Sequence, residues 1–198
     1  MKNKTQEECK RLKLVRVKRT HPFLLQFMYR HYSAPKGFVG RNQCYAVVYD
    51  KLCYGFIVSG STPMWLVGRE RVFGYEVNLN EIVNNIFFRI EIKTRYPSRN
   101  FMVKVLKLWR ETSIIDWEEQ YGDKVMGWES LVELPRTGEV YIRDKWTLVG
   151  TTKGYSCKRV GGIGTDSYSG VRVWETKILR PKLVFCKKNE KGMQEIKI

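Results

Sequence analysis

Histidine and paired cysteine are what this chain has least of. Its 198 residues include two histidines, His21 and His31, which excludes a His-rich metal site. The five cysteines (Cys9, Cys44, Cys53, Cys157 and Cys186) are odd in number and contain no C-x-x-C pair. Neither a zinc site nor a secreted disulfide framework is indicated, so no metal ligands are assigned. The N-terminal MKNKTQEECKRLKLVRVKR lacks the apolar centre of a signal peptide, and no apolar run elsewhere is long enough to span a bilayer. A cytoplasmic protein with no membrane partner is expected. Internal repeats and an interdomain linker are also missing, which leaves a single domain over 1–198.

Acidic residues are scarce relative to basic ones. Lys and Arg number 36 against 20 Asp and Glu, giving a formal charge of +16 and a pI near 9.7. Such an excess points to a polyanionic partner. Aromatic residues make up 13% of the chain, and their rings can stack on bases while Lys and Arg hold phosphates. Double-stranded DNA is the expected partner.

Residues 1–20 form a basic arm whose Leu12, Leu14, Val15 and Val17 alternate with Lys and Arg as in an edge strand. His21 to Tyr32 reads as a helix with Pro22 in its first turn. Gln43 to Asp50 and Leu52 to Ser61 form a hairpin about Asp50-Lys51. The segment 62–81 is weakly patterned, either a further strand or a recognition loop. A strand is predicted over Ile86 to Ile92, a helix over Phe101 to Arg110, and a second short helix over Ile114 to Tyr121. Further strands are expected at Thr147 to Gly150, Val171 to Glu175 and Pro181 to Cys186. Between them lies a basic, Gly-rich insertion, about 151–170, whose Lys153, Lys158 and Arg159 suit a nucleic-acid contact.

Chemistry concentrates in 127–146, GWESLVELPRTGEVYIRDKW. Alternation marks a strand through Trp128, Ser130, Val132 and Leu134, and Pro135 to Gly138 ends it in a turn. Ser130, Glu133, Tyr141 and Asp144 thus cluster around one strand end. A hydroxyl beside a carboxylate can relay a proton, so these four are the candidate catalytic residues. Upstream, Ser98, Arg99 and Asn100 precede a helix, where unpaired N–H groups and the macrodipole favour an anion. Arg89, on an otherwise apolar strand, calls for either Glu91 or a ligand phosphate as partner. These four are the candidate donor-binding residues. His31 and Tyr32 are candidates for nucleic-acid contact, with His31 also plausible as a base.

Ser130-Leu-Val-Glu133 followed by Gly138-Glu-Val-Tyr141-Ile-Arg-Asp-Lys-Trp146, together with Ser98-Arg99, resembles the phage Mom family, GNAT-like enzymes that modify adenine in DNA. Tyr29, His31 and Tyr32 more distantly resemble the DruA-type anti-phage proteins. The resemblance runs from about Tyr29 to Val149. It implies an α+β fold with a mixed, mostly antiparallel sheet flanked by helices. It further implies a transferase that places a carbamoylmethyl group on adenine N6 and protects DNA from restriction. The donor is not identified, and acyl-CoA or another glycyl or acyl carrier fits the family. The usual Gly-rich GNAT loop departs here, since no glycine lies between Arg89 and Gly122. Two alternatives stay open: a GNAT-like acyltransferase acting on tRNA or another modified base, and a DNA-binding defence component without chemistry.

Overall fold

A computed structural model describes residues 11–31, 38, 40–91, 97–159 and 174–190, with the backbone alone at 155–159 and 174–178. The basic arm contributes β1 (Leu12–Val17), which pairs antiparallel with β2 (Asn42–Tyr49). A two-residue turn joins β2 to β3 (Leu52–Ser61), with Asp50 and Lys51 both at positive φ, 52° and 69°. That backbone suits the right-handed twist of a hairpin, as the sequence predicts.

β3 pairs antiparallel with β4 (Ile82–Ile90), and β4 runs parallel to β5 (Gly127–Glu133). β9 (Lys182–Lys188) joins β5 antiparallel, and β6 (Thr147–Thr151) closes the far edge. The result is a seven-stranded sheet in the order β1-β2-β3-β4-β5-β9-β6. A separate ribbon is made by β7 (Tyr155–Arg159) and β8 (Trp174–Ile178). The α+β, mostly antiparallel expectation holds.

Helices cover both faces. On one lie α1 (Pro22–Tyr29) and the short α2 (Glu70–Phe73). Leu24 and Met28 of α1 pack on Cys44, Ala46, Phe56, Val58 and Phe87. On the other face lie α3 (Phe101–Tyr121) and the short α4 (Glu139–Arg143). Phe101, Val105, Trp109 and Trp117 of α3 meet Tyr45, Val47, Ile57 and Trp128. Strand alternation separates the two cores, since neighbouring residues of β2 point to opposite faces. Among the described residues no helix is long and apolar enough to cross a membrane.

Several sequence expectations need correction. The two helices predicted over Phe101–Arg110 and Ile114–Tyr121 are one, because Ser113 is satisfied inside the helix. Its hydroxyl donates to the Arg110 carbonyl at 3.0 Å and accepts from Trp128 Nε1 at 2.9 Å. β4 begins at Ile82 rather than Ile86 and carries Asn84 and Asn85, poor strand formers held by neighbours on both sides. Of the two readings left open for segment 62–81 the strand is excluded, since it contains only α2 and a 3-10 turn at Leu79–Glu81. β8 contains Trp174 and Glu175 of the strand predicted over Val171 to Glu175 and runs on to Ile178, while residues 160–173 lie outside the described set.

Candidate active site

β4 and β5 pair over four residues only: Ile82 with Gly127, Val83 with Trp128, Asn84 with Glu129, and Asn85 with Ser130. Beyond that point β4 stays with β3 as far as Ile90, and β5 stays with β9 as far as Glu133. The sheet therefore splits into two wings. A register slip on β4 lies at the split, where Val58 faces Phe87 and Ser59 faces Asn85, leaving Ile86 as the extra, bulged residue.

A cleft of about 460 Å³ fills the opening, lined by His31, Asn85, Ser130, Arg136 and Tyr141 among others. Phe87, Met102 and Val132 supply apolar wall. Tyr141 enters from α4, whose start at Gly138 has φ 68°. A Cβ on Gly138 would lie 2.4 Å from the Phe185 ring, so both backbone and space require glycine there. The Tyr141 ring stacks on Phe185 with centroids 5.4 Å apart and meets Trp146 edge-on at 5.1 Å. Its hydroxyl donates to Asn85 Oδ1 at 3.2 Å. The Ser130 hydroxyl lies 3.5 Å from the Asn85 carbonyl oxygen, a long contact.

His31 follows α1 and packs against Phe87 with ring centroids 4.7 Å apart. Burial, reinforced by the positive charges of Arg89 and Arg136, lowers its pKa to about 4, against a smaller opposing effect of its hydrogen bond to the Phe88 backbone. The imidazole is neutral at pH 7. The cleft therefore holds a neutral nitrogen base and a phenol within a cationic rim.

Not every predicted site residue reaches this cleft. Asp144, expected either as catalytic or as an exposed helix-side residue, is 9% exposed and structural. Its carboxylate binds the Arg110 guanidinium and accepts from Trp146 Nε1 at 2.7 Å. An isolated carboxylate could not be buried here, and Arg110 is the counter-charge that permits it. Glu133 falls on the face of β5 opposite Ser130, outside the cleft lining, and lies 3.9 Å from Arg180. The predicted clustering thus survives for Ser130 and Tyr141, which meet through Asn85.

Arg89 takes Glu91 as partner, its Nε donating to Oε1 at 2.7 Å, while Arg30 holds the other carboxylate oxygen at 2.8 Å. The ligand-phosphate reading of Arg89 is not needed to explain it. Ser98, Arg99 and Asn100 do precede α3, and Asn100 is its N-cap residue without a side-chain cap bond. Arg143 at the end of α4 donates to the Arg99 carbonyl at 3.1 Å and to the Asn100 side chain. Lys153 is exposed. Lys158 and Arg159 lie on β7 with their side chains outside the described set, as is Tyr32 altogether.

Sequence reasoning missed Asn85, Arg136 and the ion pair beneath the split. Glu129, on the face of β5 opposite Ser130, is fully buried and binds Arg69, with Nη2 to Oε2 at 3.1 Å and Thr62 as a further partner. A Glu within an alternating strand signals an exposed face, so only the approach of Arg69 from the end of the 62–69 loop reveals it.

No family model matches the chain, and no curated protein does. Solved structures of similar shape exist. A Bacillus subtilis acetyltransferase in complex with CoA matches with TM-score 0.52 at 11% identity, over 90% of this chain and 99% of that one. The IAA acetyltransferase from Bacillus cereus matches with TM-score 0.52 at 12% identity over the same shares. A probable GNAT-family acetyltransferase from Chromobacterium violaceum matches with TM-score 0.50 at 10% identity, over 93% and 85%. At such identities the likeness is one of fold: the chain has the GNAT acetyltransferase architecture.

Proposed function

We propose that this chain is a group transferase acting on DNA, with the N6 amine of adenine as acceptor and a carbamoylmethyl group as the fragment moved. One observation carries the transfer reading: the β4–β5 split opens a cleft in which a neutral His31, Ser130 and Tyr141 converge on a chain of charge +16. A site of this composition serves proton transfer between a nucleophile and a leaving group. The choice of adenine rests on the Mom-family resemblance of Ser130 to Glu133 and Gly138 to Trp146, and the choice of a polyanion on the charge.

An adenine inside a duplex is reached by extruding it into the pocket, with basic surface holding the flanking phosphates. Its amine lone pair is delocalised into the ring, so orientation and proton removal supply much of the acceleration. His31 accepts the proton that N6 loses as its new bond forms. An imidazole with a pKa near 4 is a weak base. It suffices, because N6 becomes cationic, and so far more acidic, as its bond to the donor carbon forms. Tyr141 hands a proton to the departing group, and its packing on Phe185 and Trp146 fixes the direction of the hydroxyl.

The donor supplies an electrophilic carbon and a leaving group. The residues present fit a phosphate-bearing carrier: Arg99 and Arg143 stand beside the N-terminus of α3, whose cap residue leaves the first N–H groups uncapped by its side chain. Nucleoside mass spectrometry of DNA and RNA from cells expressing the chain is the test, with Tyr141→Phe as control. A modified adenine in DNA that disappears in the variant supports the proposal. A product confined to tRNA would move the acceptor, and no product with either nucleic acid would remove the chemistry.

A further inference from the structure

Among the described residues three buried side-chain polar atoms have no hydrogen-bond partner: His21 Nδ1, Asn84 Oδ1 and Asn85 Nδ2. An unsatisfied buried donor is destabilising, and a native protein that keeps one calls for an explanation such as a ligand that completes it. Of the three, only Asn85 lines the cleft. It is 4% exposed and is the last residue of β4 to pair with β5, so it sits at the apex of the split.

Its amide is oriented by the protein. Oδ1 accepts from the Tyr141 hydroxyl at 3.2 Å, and a planar carboxamide with its oxygen held has the direction of its NH2 fixed as well. Donation from Tyr141 also polarises the amide and strengthens Nδ2 as a donor, an effect enlarged by the apolar walls of Phe87 and Val132. An oriented donor in low-dielectric surroundings selects an acceptor that brings no charge of its own to be buried. A carbonyl oxygen meets that requirement.

We infer that Asn85 recognises the transferred fragment by donating from Nδ2 to its carbonyl oxygen, which places the fragment among carbonyl-bearing groups, acyl or carbamoylmethyl, and excludes a simple alkyl group. The inference rests on the reading of the cleft as a group-transfer site. Tyr141 then has two successive duties: it orients the Asn85 amide while the fragment binds, and its proton passes from Asn85 Oδ1 to the leaving group as that group departs.

The test compares wild type, Asn85→Ala and Asn85→Asp by calorimetric titration with acetyl-CoA and with CoA, probes that differ in one carbonyl-bearing group. Modified nucleosides in DNA are counted alongside. Wild type is expected to prefer acetyl-CoA by about tenfold, and Asn85→Ala to bind the two equally. Modification should fall roughly 10²-fold in Asn85→Ala, as the fragment's electrophilic carbon loses the hydrogen bond that positions it. Asn85→Asp keeps an acceptor for Tyr141 but can donate only when protonated. Its activity relative to wild type should therefore rise as pH is lowered, which a packing defect does not produce. This variant also carries the test should Asn85→Ala fail to fold.

An Asn85→Ala enzyme that keeps the acetyl preference, or modifies DNA within tenfold of wild type, overturns the inference and leaves the transfer reading standing. If product forms in wild type without any acetyl-CoA preference, the nucleoside assay decides in the same direction. A wild type that makes no modified nucleoside, yet has an acetyl preference lost in Asn85→Ala, keeps the inference and rejects the nucleic-acid reading. Neither product nor preference overturns both.

Discussion

Replacing Tyr141 by Phe isolates one hydroxyl in a well-packed setting. The ring, 5% exposed, is held by Phe185 at 5.4 Å and Trp146 at 5.1 Å, contacts that Phe retains. What disappears is the hydroxyl and its 3.2 Å hydrogen bond to Asn85 Oδ1. A bond of this kind contributes about 1 kcal/mol net, somewhat more if the stranded acceptor finds no water. In a domain of this length that lowers Tm by roughly 2–4 °C. The chemical role predicts a much larger effect on rate, about 10²- to 10⁴-fold, equivalent to roughly 3–5 kcal/mol in the barrier. Stability and rate should therefore separate by several kcal/mol. Scanning calorimetry gives the first quantity, and modified adenine formed per unit time under single-turnover conditions gives the second. Activity within tenfold of wild type, with the expected small drop in Tm, would refute the assignment of Tyr141 as proton donor.

Affinity for duplex DNA should fall linearly in log salt, with a slope of roughly 0.9 per phosphate neutralised, and a flat response would remove the polyanion reading. Arg99→Ala should lose modification while DNA affinity stays within a fewfold, as measured by filter binding beside the nucleoside assay; equal loss of both would transfer Arg99 to the DNA-binding surface. Glu129→Ala strands the buried Arg69 and should reduce stability by about 3–5 kcal/mol, read as a lower urea midpoint. For His31 the folded pKa, about 4, lies below the unfolded 6.5. Below pH 6.5 the unfolded chain binds the extra proton, so stability is lost as pH falls from 6.5 to 4, by up to about 3 kcal/mol. His31→Gln should flatten that part of the pH–stability curve relative to wild type, leaving the contribution of the carboxylates.

Local pattern carried a large part of this protein. The Asp50-Lys51 hairpin, the strand from Gly127, the turn ending at Gly138 and the cationic surface are each dictated by neighbouring residues, because alternation, turn geometry and net charge need no distant partner. Tyr141 and Ser130 were legible for the same reason, lying on either side of one turn. Tertiary structure alone decided the rest. Ser113 continues α3 only because Trp128 donates to it, and Asn84 and Asn85 are strand residues only because β3 and β5 flank them. Asp144 and Glu133 look in sequence like partners of Ser130 and Tyr141, yet Arg110 and the strand's own alternation turn them elsewhere. Asn85 gives no signal in sequence, being 45 residues from Ser130 and 56 from Tyr141, the two hydroxyls it lies against. The sequence sets which groups exist and which face of its own element each occupies. Which group meets which is fixed by the point where two strands cease to pair, and that depends on the packing of the whole sheet.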